Sequence, residues 1–224
     1  LIVGTVGIWI IHPRGEAAAI ATLGGEIFSI STIYSLTILP LFILMGNLAG
    51  ISGMSRDLYD AAHAWFGHFR GGLASSTIVG CAGFSALSGS SLASAVTMGR
   101  VALPEMKRYN YDDALATGSI AAGGTLGILI PPSAGFVIYA ILTEESIGRL
   151  FMAGVLPGIM LSSLFILAIW LKVKINPDLA PASAAKLSLV KRFASLRQAS
   201  WIIGIIIVTI GGIYGGVFDA VEAA

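Results

Sequence analysis

Charged residues are scarce in this sequence. Asp, Glu, Lys and Arg make up 11% of the 224 residues, whereas hydrophobic residues make up 56%. A soluble domain has about 25% charged residues, so the composition excludes an ordinary soluble domain and indicates an integral membrane protein. Glycine is abundant instead, with 28 residues, which agrees with close helix packing in lipid.

The sequence also lacks the residue patterns of several enzyme classes. Its single cysteine, Cys81, lies in an apolar run and cannot form an internal disulfide. There is no Walker A loop for nucleotide hydrolysis, and the three histidines have no metal-ligand partners at suitable spacing. No Ser/His/Asp arrangement suggests an intramembrane hydrolase. We therefore expect a protein that is not an enzyme, with no cofactor and no nucleic-acid partner.

Hydrophobic runs divide the chain into segments. They occupy residues 1–11, 27–51, 71–104, 114–142, 147–171 and 199–218. The first run is too short to cross a hydrocarbon core of about 30 Å, so we expect a fragment of a longer protein. Pro40 is expected to kink a helix over 27–51.

Two polar segments are expected outside the hydrocarbon core. Residues 55–70 are amphipathic at helical spacing, which predicts a helix along the membrane surface with Trp65 at headgroup level. Its predicted apolar face consists of Leu58, Ala61, Ala62, Trp65 and Phe69. Residues 176–198 predict a basic loop with a short surface helix. The basic residues of that loop are Lys186, Lys191, Arg192 and Arg197.

Basic residues predict the orientation of the chain. Ten of the 13 Lys and Arg residues fall in 52–70, 106–110 and 172–198, so these stretches are expected to face the cytoplasm. Residues 71–104 must then enter and leave the membrane on the same side. Two complete crossings would have only about 17 residues each, the lower limit of spanning length. A re-entrant hairpin over 71–105 is therefore favoured.

The hairpin is expected to turn at Ser88-Gly89-Ser90-Ser91. Unwound carbonyls and hydroxyls can bind a hard cation such as sodium. The N-terminus of the returning arm, at Ser91, would attract an anion. The alternative is a Ser/Gly-rich packing interface, in which the hydroxyls bond back to carbonyls. The motif alone leaves both interpretations equally open.

A second interruption follows in the next apolar segment. Pro131 has no N–H and Pro132 restricts it to an extended conformation, so a helix over 111–143 must break there. The residues expected to shape this break are Gly124, Thr125, Gly127, Pro131, Pro132 and Ser133. The glycines allow unusual backbone angles, and Thr125, Ser133 and freed carbonyls are expected to face the hairpin tip. An ordinary proline kink is the less favoured alternative.

Two interruptions in tandem indicate a buried polar site at membrane depth, as in secondary transporters. Several motifs also occur in a specific order: Phe69-Arg70-Gly71-Gly72-Leu73-Ala74, Ser88-Gly89-Ser90-Ser91, Pro104-Glu105-Met106, Tyr109-Asn110-Tyr111-Asp112 and Gly127-Ile128-Leu129-Ile130-Pro131-Pro132-Ser133. With them, most of the chain resembles the large membrane (M) subunit, DctM-like, of tripartite ATP-independent periplasmic (TRAP) transporters.

The resemblance implies sodium-coupled uptake of a small organic acid, such as a C4-dicarboxylate, across a bacterial or archaeal inner membrane. A periplasmic binding protein would deliver the substrate, and a small membrane (Q) subunit would sit beside the permease. The hairpin tip and the broken helix would form a sodium site beside the substrate, with Ser88, Ser90 and Thr125 as sodium ligands. Another sodium-coupled anion carrier of similar hairpin architecture, or a non-transporting scaffold subunit, remains an alternative.

The implied fold is an all-α polytopic membrane protein of elevator type. Transmembrane helices, one re-entrant hairpin and one discontinuous helix would make up one of two inverted repeats, because a second hairpin and a second broken helix are absent from the sequence. The expected parts are scaffold and surface helices over 1–70, part of a transport domain over 71–145, a transmembrane helix over 146–175, a basic cytoplasmic loop over 176–198 and the start of a further scaffold helix over 199–224.

Overall fold

A computed structural model describes residues 2–11, 15–181, 188–219 and 222. These residues form α-helices and two short 3-10 turns, and no strand occurs among them. This confirms the predicted all-α class. The chain divides into two compact units, Leu1–Thr37 and Ile38–Ala224.

The first unit contains two helices that pack against each other, α1 (Ile2–Ile11) and α2 (Gly15–Ser31), followed by a 3-10 turn. The prediction of one kinked helix over 27–51 is wrong, because α2 ends at Ser31 and the next α-helix begins at Ile38. Pro40 therefore lies in the first turn of a helix. Its missing N–H interrupts no hydrogen bond at that position.

The second unit contains nine helices within its described residues. They are α3 (Ile38–Ile51), α4 (Met54–Phe66), α5 (Gly72–Ser88), α6 (Ser91–Arg108), α7 (Asp113–Leu129), α8 (Ala134–Thr143), α9 (Ile147–Ile175), α10 (Leu189–Gln198) and α11 (Ser200–Tyr214). The broken segment α7–α8 and the helix α9 are each long and apolar enough to cross a membrane. The pairs α3–α4 and α10–α11 are bent by 68° and 61°. Each pair is also long and apolar enough to cross a membrane if its two helices form one span.

Helix α5 forms the centre of this unit and packs against α3, α4, α6, α7 and α9. Its largest side chains, Leu73, Ile78, Phe84 and Leu87, are buried. It ends at Gly89, which has a φ of 57° in the left-handed region and donates its N–H to the Ser85 carbonyl at 3.0 Å. Helix α6 then returns beside α5, so the predicted helical hairpin is confirmed.

The basic segments lie together at the base of this hairpin. A guanidinium nitrogen of Arg192 is 3.3 Å from Nδ1 of His68, which joins α10 to the segment after α4. Nearby, the backbone amide of Asp112, between α6 and α7, donates a hydrogen bond to the Leu179 carbonyl at 3.0 Å. Lys186 lies outside the described residues. The three stretches that were predicted to face the same side of the membrane are therefore close in space.

Other helices cover α4 more than they would cover a helix that only lay along the membrane surface. It packs between α5, α6 and α10, and Trp65 meets Phe193 of α10 edge to face at 5.7 Å. Ala61 and Ala62 of the predicted apolar face are buried, but Phe69 lies beyond the helix end and is 55% exposed. Tyr59, which the sequence did not assign to that face, is buried instead.

Candidate functional site

The tip of the α5–α6 hairpin contacts the break between α7 and α8. Helix α7 ends at Leu129 and α8 begins at Ala134. The Ala134 amide donates a hydrogen bond to the Gly89 carbonyl at 3.2 Å. A Cβ on Gly89 would lie 2.7 Å from the carbonyl oxygen of Pro132. The structure therefore brings the two predicted interruptions together, and we call this contact the junction.

Glycines allow the helices around the junction to pack at very short distances. A Cβ on Gly127 of α7 would lie 2.7 Å from the backbone nitrogen of Ser91, and one on Gly124 would lie 2.6 Å from the Cβ of Ala95. Both glycines lie in regular helix. The prediction that they provide unusual backbone angles is wrong, because their role is close approach to α6.

On its other side the hairpin tip packs against α3. A Cβ on Gly46 would lie 2.7 Å from the Cα of Ser88. The sequence contains Gly46 within a GxxxG pair, which indicates a helix contact but not its partner. The tip is thus enclosed between α3 and the break.

The junction lies part of the way along α9. Gly158 of α9 packs against Ile130 at the break, whereas Gly71 at the base of the hairpin lies beside Ile169 and Val173. Helix α9 continues from this level to Ile147, about 16 Å farther at 1.5 Å per residue. Two complete crossings would place the tip at the far end of α9. The tip stops short of it, as expected for a re-entrant hairpin.

Four helix ends meet at the junction. The N-termini of α6 and α8, which carry partial positive charge, lie beside the C-termini of α5 and α7, which carry partial negative charge. No charged side chain occurs in 88–91 or 130–133. Among the described residues, no cluster of three His, Cys, Asp or Glu side chains is arranged to hold a metal. A cation here would depend on carbonyl and hydroxyl oxygens.

Several hydroxyls near the tip are already hydrogen-bonded. Oγ of Ser94 lies 3.0 Å from Oγ of Ser88 and 3.1 Å from Oγ of Ser85, and all three residues are buried. Sequence reasoning missed Ser94 because its contact crosses the turn. The available signal was its position one helical turn after Ser90, on the side of α6 that returns toward α5.

The three predicted sodium ligands are not all placed together. Ser88 and Ser90 lie at the tip, where Ser90 caps α6 by accepting from the Ala93 amide at 3.4 Å. Thr125 is exposed on α7 and donates to the Ala122 carbonyl at 2.6 Å. The structure does not bring its hydroxyl to the junction. The role of these residues in sodium binding stays a prediction.

Two hydroxyls at the junction have no partner. The Oγ atoms of Ser91 and Ser133 are buried and make no hydrogen bond to any described residue. Ser91 is the first residue of α6, and Ser133 directly precedes α8 behind the buried Pro131 and Pro132. Buried polar atoms are normally hydrogen-bonded, so these two hydroxyls are the candidate ligand contacts of the junction. The packing interpretation explains Ser88 but does not explain them.

The chain matches one protein family over nearly its whole length. Residues 5–224 match the family described as the tripartite ATP-independent periplasmic transporter, DctM component. This match agrees with the resemblance that the ordered motifs indicate.

The names of individual relatives also describe TRAP transporter permeases, but they give different substrates. The chain is 40% identical over 206 residues to the C4-dicarboxylate TRAP transporter large permease protein DctM of Pseudomonas aeruginosa, covering 92% of this chain and 48% of that protein. It is 38% identical to the ectoine TRAP transporter large permease protein TeaC of Halomonas elongata, covering 85% and 44%. It is 32% identical to the sialic acid TRAP transporter permease protein SiaT of Haemophilus influenzae, covering 85% and 30%. The chain covers about half of the length of the first two relatives and less than a third of the length of the third.

Proposed function

The chain belongs to the DctM family of TRAP transporter large permeases, and from this premise we propose that it is part of a sodium-coupled permease that imports a small organic acid. Family membership and the long apolar helices make it a multi-pass membrane protein, and membership in a permease family agrees with the prediction that it is not an enzyme. The proposed location is the inner membrane of a bacterium or archaeon.

The proposed substrate is a C4-dicarboxylate or a similar carboxylate. Relatives are named for C4-dicarboxylate, ectoine and sialic acid, which are small polar molecules with a carboxylate group. A periplasmic binding protein would deliver the substrate, and a small Q subunit would sit beside the permease. The name of one further relative, the isethionate permease DctMQ of Oleidesulfovibrio alaskensis, is consistent with such a neighbour.

The unpaired hydroxyls at the junction are the observation that carries the proposal. Ser91 and Ser133 provide oxygens in a place without charged side chains, and the C-terminal ends of α5 and α7 lie beside it. Sodium prefers such oxygen ligands. The N-termini of α6 and α8 would attract the acidic group of the substrate.

This arrangement suggests how ion and substrate binding are coupled. The tip and the break are joined by one backbone hydrogen bond and by glycine packing. A sodium ion bound by both would fix the N-termini of α6 and α8 in one orientation, so that less ordering remains when the anion binds. The helices α5–α8 would then move as a unit in an elevator-type cycle, with a second inverted repeat supplying the other half of the site.

Uptake measurements on the full-length permease test the proposal. The permease, its Q subunit and its binding protein would be reconstituted in liposomes with a radiolabelled acid. We expect uptake only when an inward sodium gradient and the binding protein are both present. Uptake that persists with potassium in place of sodium would reject sodium coupling. Uptake without the binding protein would instead favour another sodium-coupled anion carrier.

A further inference from the structure

A cavity of about 510 Å³ lies along the side of α6 that faces α3 and α4. It is within the usual size range of small-molecule sites, roughly 300–1,000 Å³. Its polar lining consists of Asn47 from α3, Ser55 from α4, and Ser90, Thr97 and Arg100 from α6. We call it the α6 cavity. One of its ends is therefore the hairpin tip, but it extends well beyond the junction.

Arg100 is the charged residue of this cavity. No Asp or Glu is among the residues that line it, and no carboxylate in the described part of the chain lies within 4.0 Å of the Arg100 guanidinium. The two ion pairs on the hairpin and its neighbour, Lys107–Asp113 and Arg108–Glu105, lie farther along at the base. A cationic side chain in a membrane-inserted segment usually has a functional partner.

The position of Arg100 relates the cavity to the path of a substrate. Arg100 is nine residues after Ser91, about 14 Å along α6 at 1.5 Å per residue. Arg108, at the base, is about 12 Å farther. The α6 cavity therefore extends from the junction toward the side of the protein where the basic segments lie. An anion that moved from the junction along this cavity would pass Arg100.

We propose that the α6 cavity is a second anion-binding site, in which Arg100 binds the carboxylate of the organic acid between the junction and the cytoplasmic side. This inference rests on the proposed function. A guanidinium can donate two parallel hydrogen bonds to one carboxylate, and Asn47, Ser55 and Thr97 supply polar groups for the rest of the ligand. The positive charge raises the local concentration of anions beside the hairpin tip.

Charge-selective labelling of the full-length permease tests this proposal without requiring transport. A Val96→Cys substitution places a thiol in the cavity, since Val96 lines it and is 47% exposed. The native Cys81 is fully buried, and the parent protein measures its background. The permease would be labelled in phosphatidylcholine liposomes with an anionic and a cationic methanethiosulfonate of similar size. We expect the anionic-to-cationic rate ratio to fall about tenfold on adding R100Q and to be retained with R100K.

Protection by ligands completes the test. We expect succinate or sialic acid to slow labelling of the Val96→Cys protein and of its R100K form, but not of its R100Q form. Equal rate ratios with and without R100Q, or the same protection in R100Q, would overturn the proposal. If phosphatidylglycerol in the liposomes slowed labelling and none of the acids did, the proposal would be overturned in favour of a lipid headgroup. Sodium-independent uptake with intact charge selectivity would reject the proposed function and leave this site standing.

Discussion

The Gly89 carbonyl accepts a hydrogen bond from the Ala134 amide across 3.2 Å, and this bond joins the hairpin tip to the start of α8. Both residues lie at points where helical hydrogen bonding has stopped, so each supplies a backbone group that lacks a partner within its own helix. In a membrane such groups must be satisfied inside the protein. The two interruptions thus stabilise each other.

Removing this hydrogen bond is expected to weaken the junction. Ala134→Pro deletes the donor at the first position of α8, where proline is otherwise tolerated, and Ser133 already has the extended conformation that precedes proline, with φ −127° and ψ 130°. We expect a loss of about 1 kcal/mol, seen as a lower Tm of the purified full-length permease. Ala134→Gly retains the N–H and is the control. Equal Tm values for both variants would show that the bond contributes nothing.

Close packing of α7 on the hairpin predicts a position-specific effect of one added methyl group. Gly127→Ala would place a Cβ 2.7 Å from the Ser91 nitrogen, and because this neighbour is backbone it cannot turn aside. We expect destabilisation of about 1–3 kcal/mol and a loss of sodium-dependent uptake. Gly118→Ala on the same helix meets nothing within 4 Å and should retain both. If Gly127→Ala retained both as well, the described packing would be wrong.

At the base of the hairpin, the Tyr111 side chain provides a hydrogen-bond acceptor for the first turn of α5. Its buried hydroxyl accepts from the Leu73 amide at 3.3 Å. Tyr111→Phe leaves that amide without this acceptor, so we expect a loss of about 1–3 kcal/mol, measured as thermal stability in detergent. Tyr139→Phe, at a residue that is 55% exposed, should change it little. Equal effects of the two substitutions would argue against the role given to Tyr111.

The breaks themselves could be predicted from the sequence because local chemistry determines them. Gly89 can adopt the left-handed conformation that ends a helix, and the Pro131-Pro132 pair removes donors from the backbone. The positions of α5, α6, α7 and α8 follow from these two interruptions. Pro40 was misjudged because a proline kinks a helix only in its interior, and the helix start at Ile38 depends on a boundary that hydrophobicity does not mark.

The partners of individual side chains could not be predicted, because they depend on contacts between distant segments. The hydroxyl of Ser88 lies 3.0 Å from that of Ser94, a partner that the sequence did not indicate, and sodium binding at Ser88 stays a prediction. Arg192 was assigned to a basic loop with a short surface helix, and in that helix it is buried beside His68. Whether a hydroxyl is paired or free is decided by tertiary packing, and only the structure distinguishes Ser91 and Ser133 from the other serines of the junction.

The most direct test of the account is the sodium dependence of uptake after both unpaired hydroxyls are removed. The double variant Ser91→Ala, Ser133→Ala would be compared in proteoliposomes with wild type and with Ser163→Ala, an exposed serine of α9 that bonds only to the Ile159 carbonyl among the described residues. We predict that the sodium concentration for half-maximal uptake rises about tenfold or more in the double variant and is unchanged in Ser163→Ala. An unchanged sodium requirement in the double variant would contradict a sodium site at the junction.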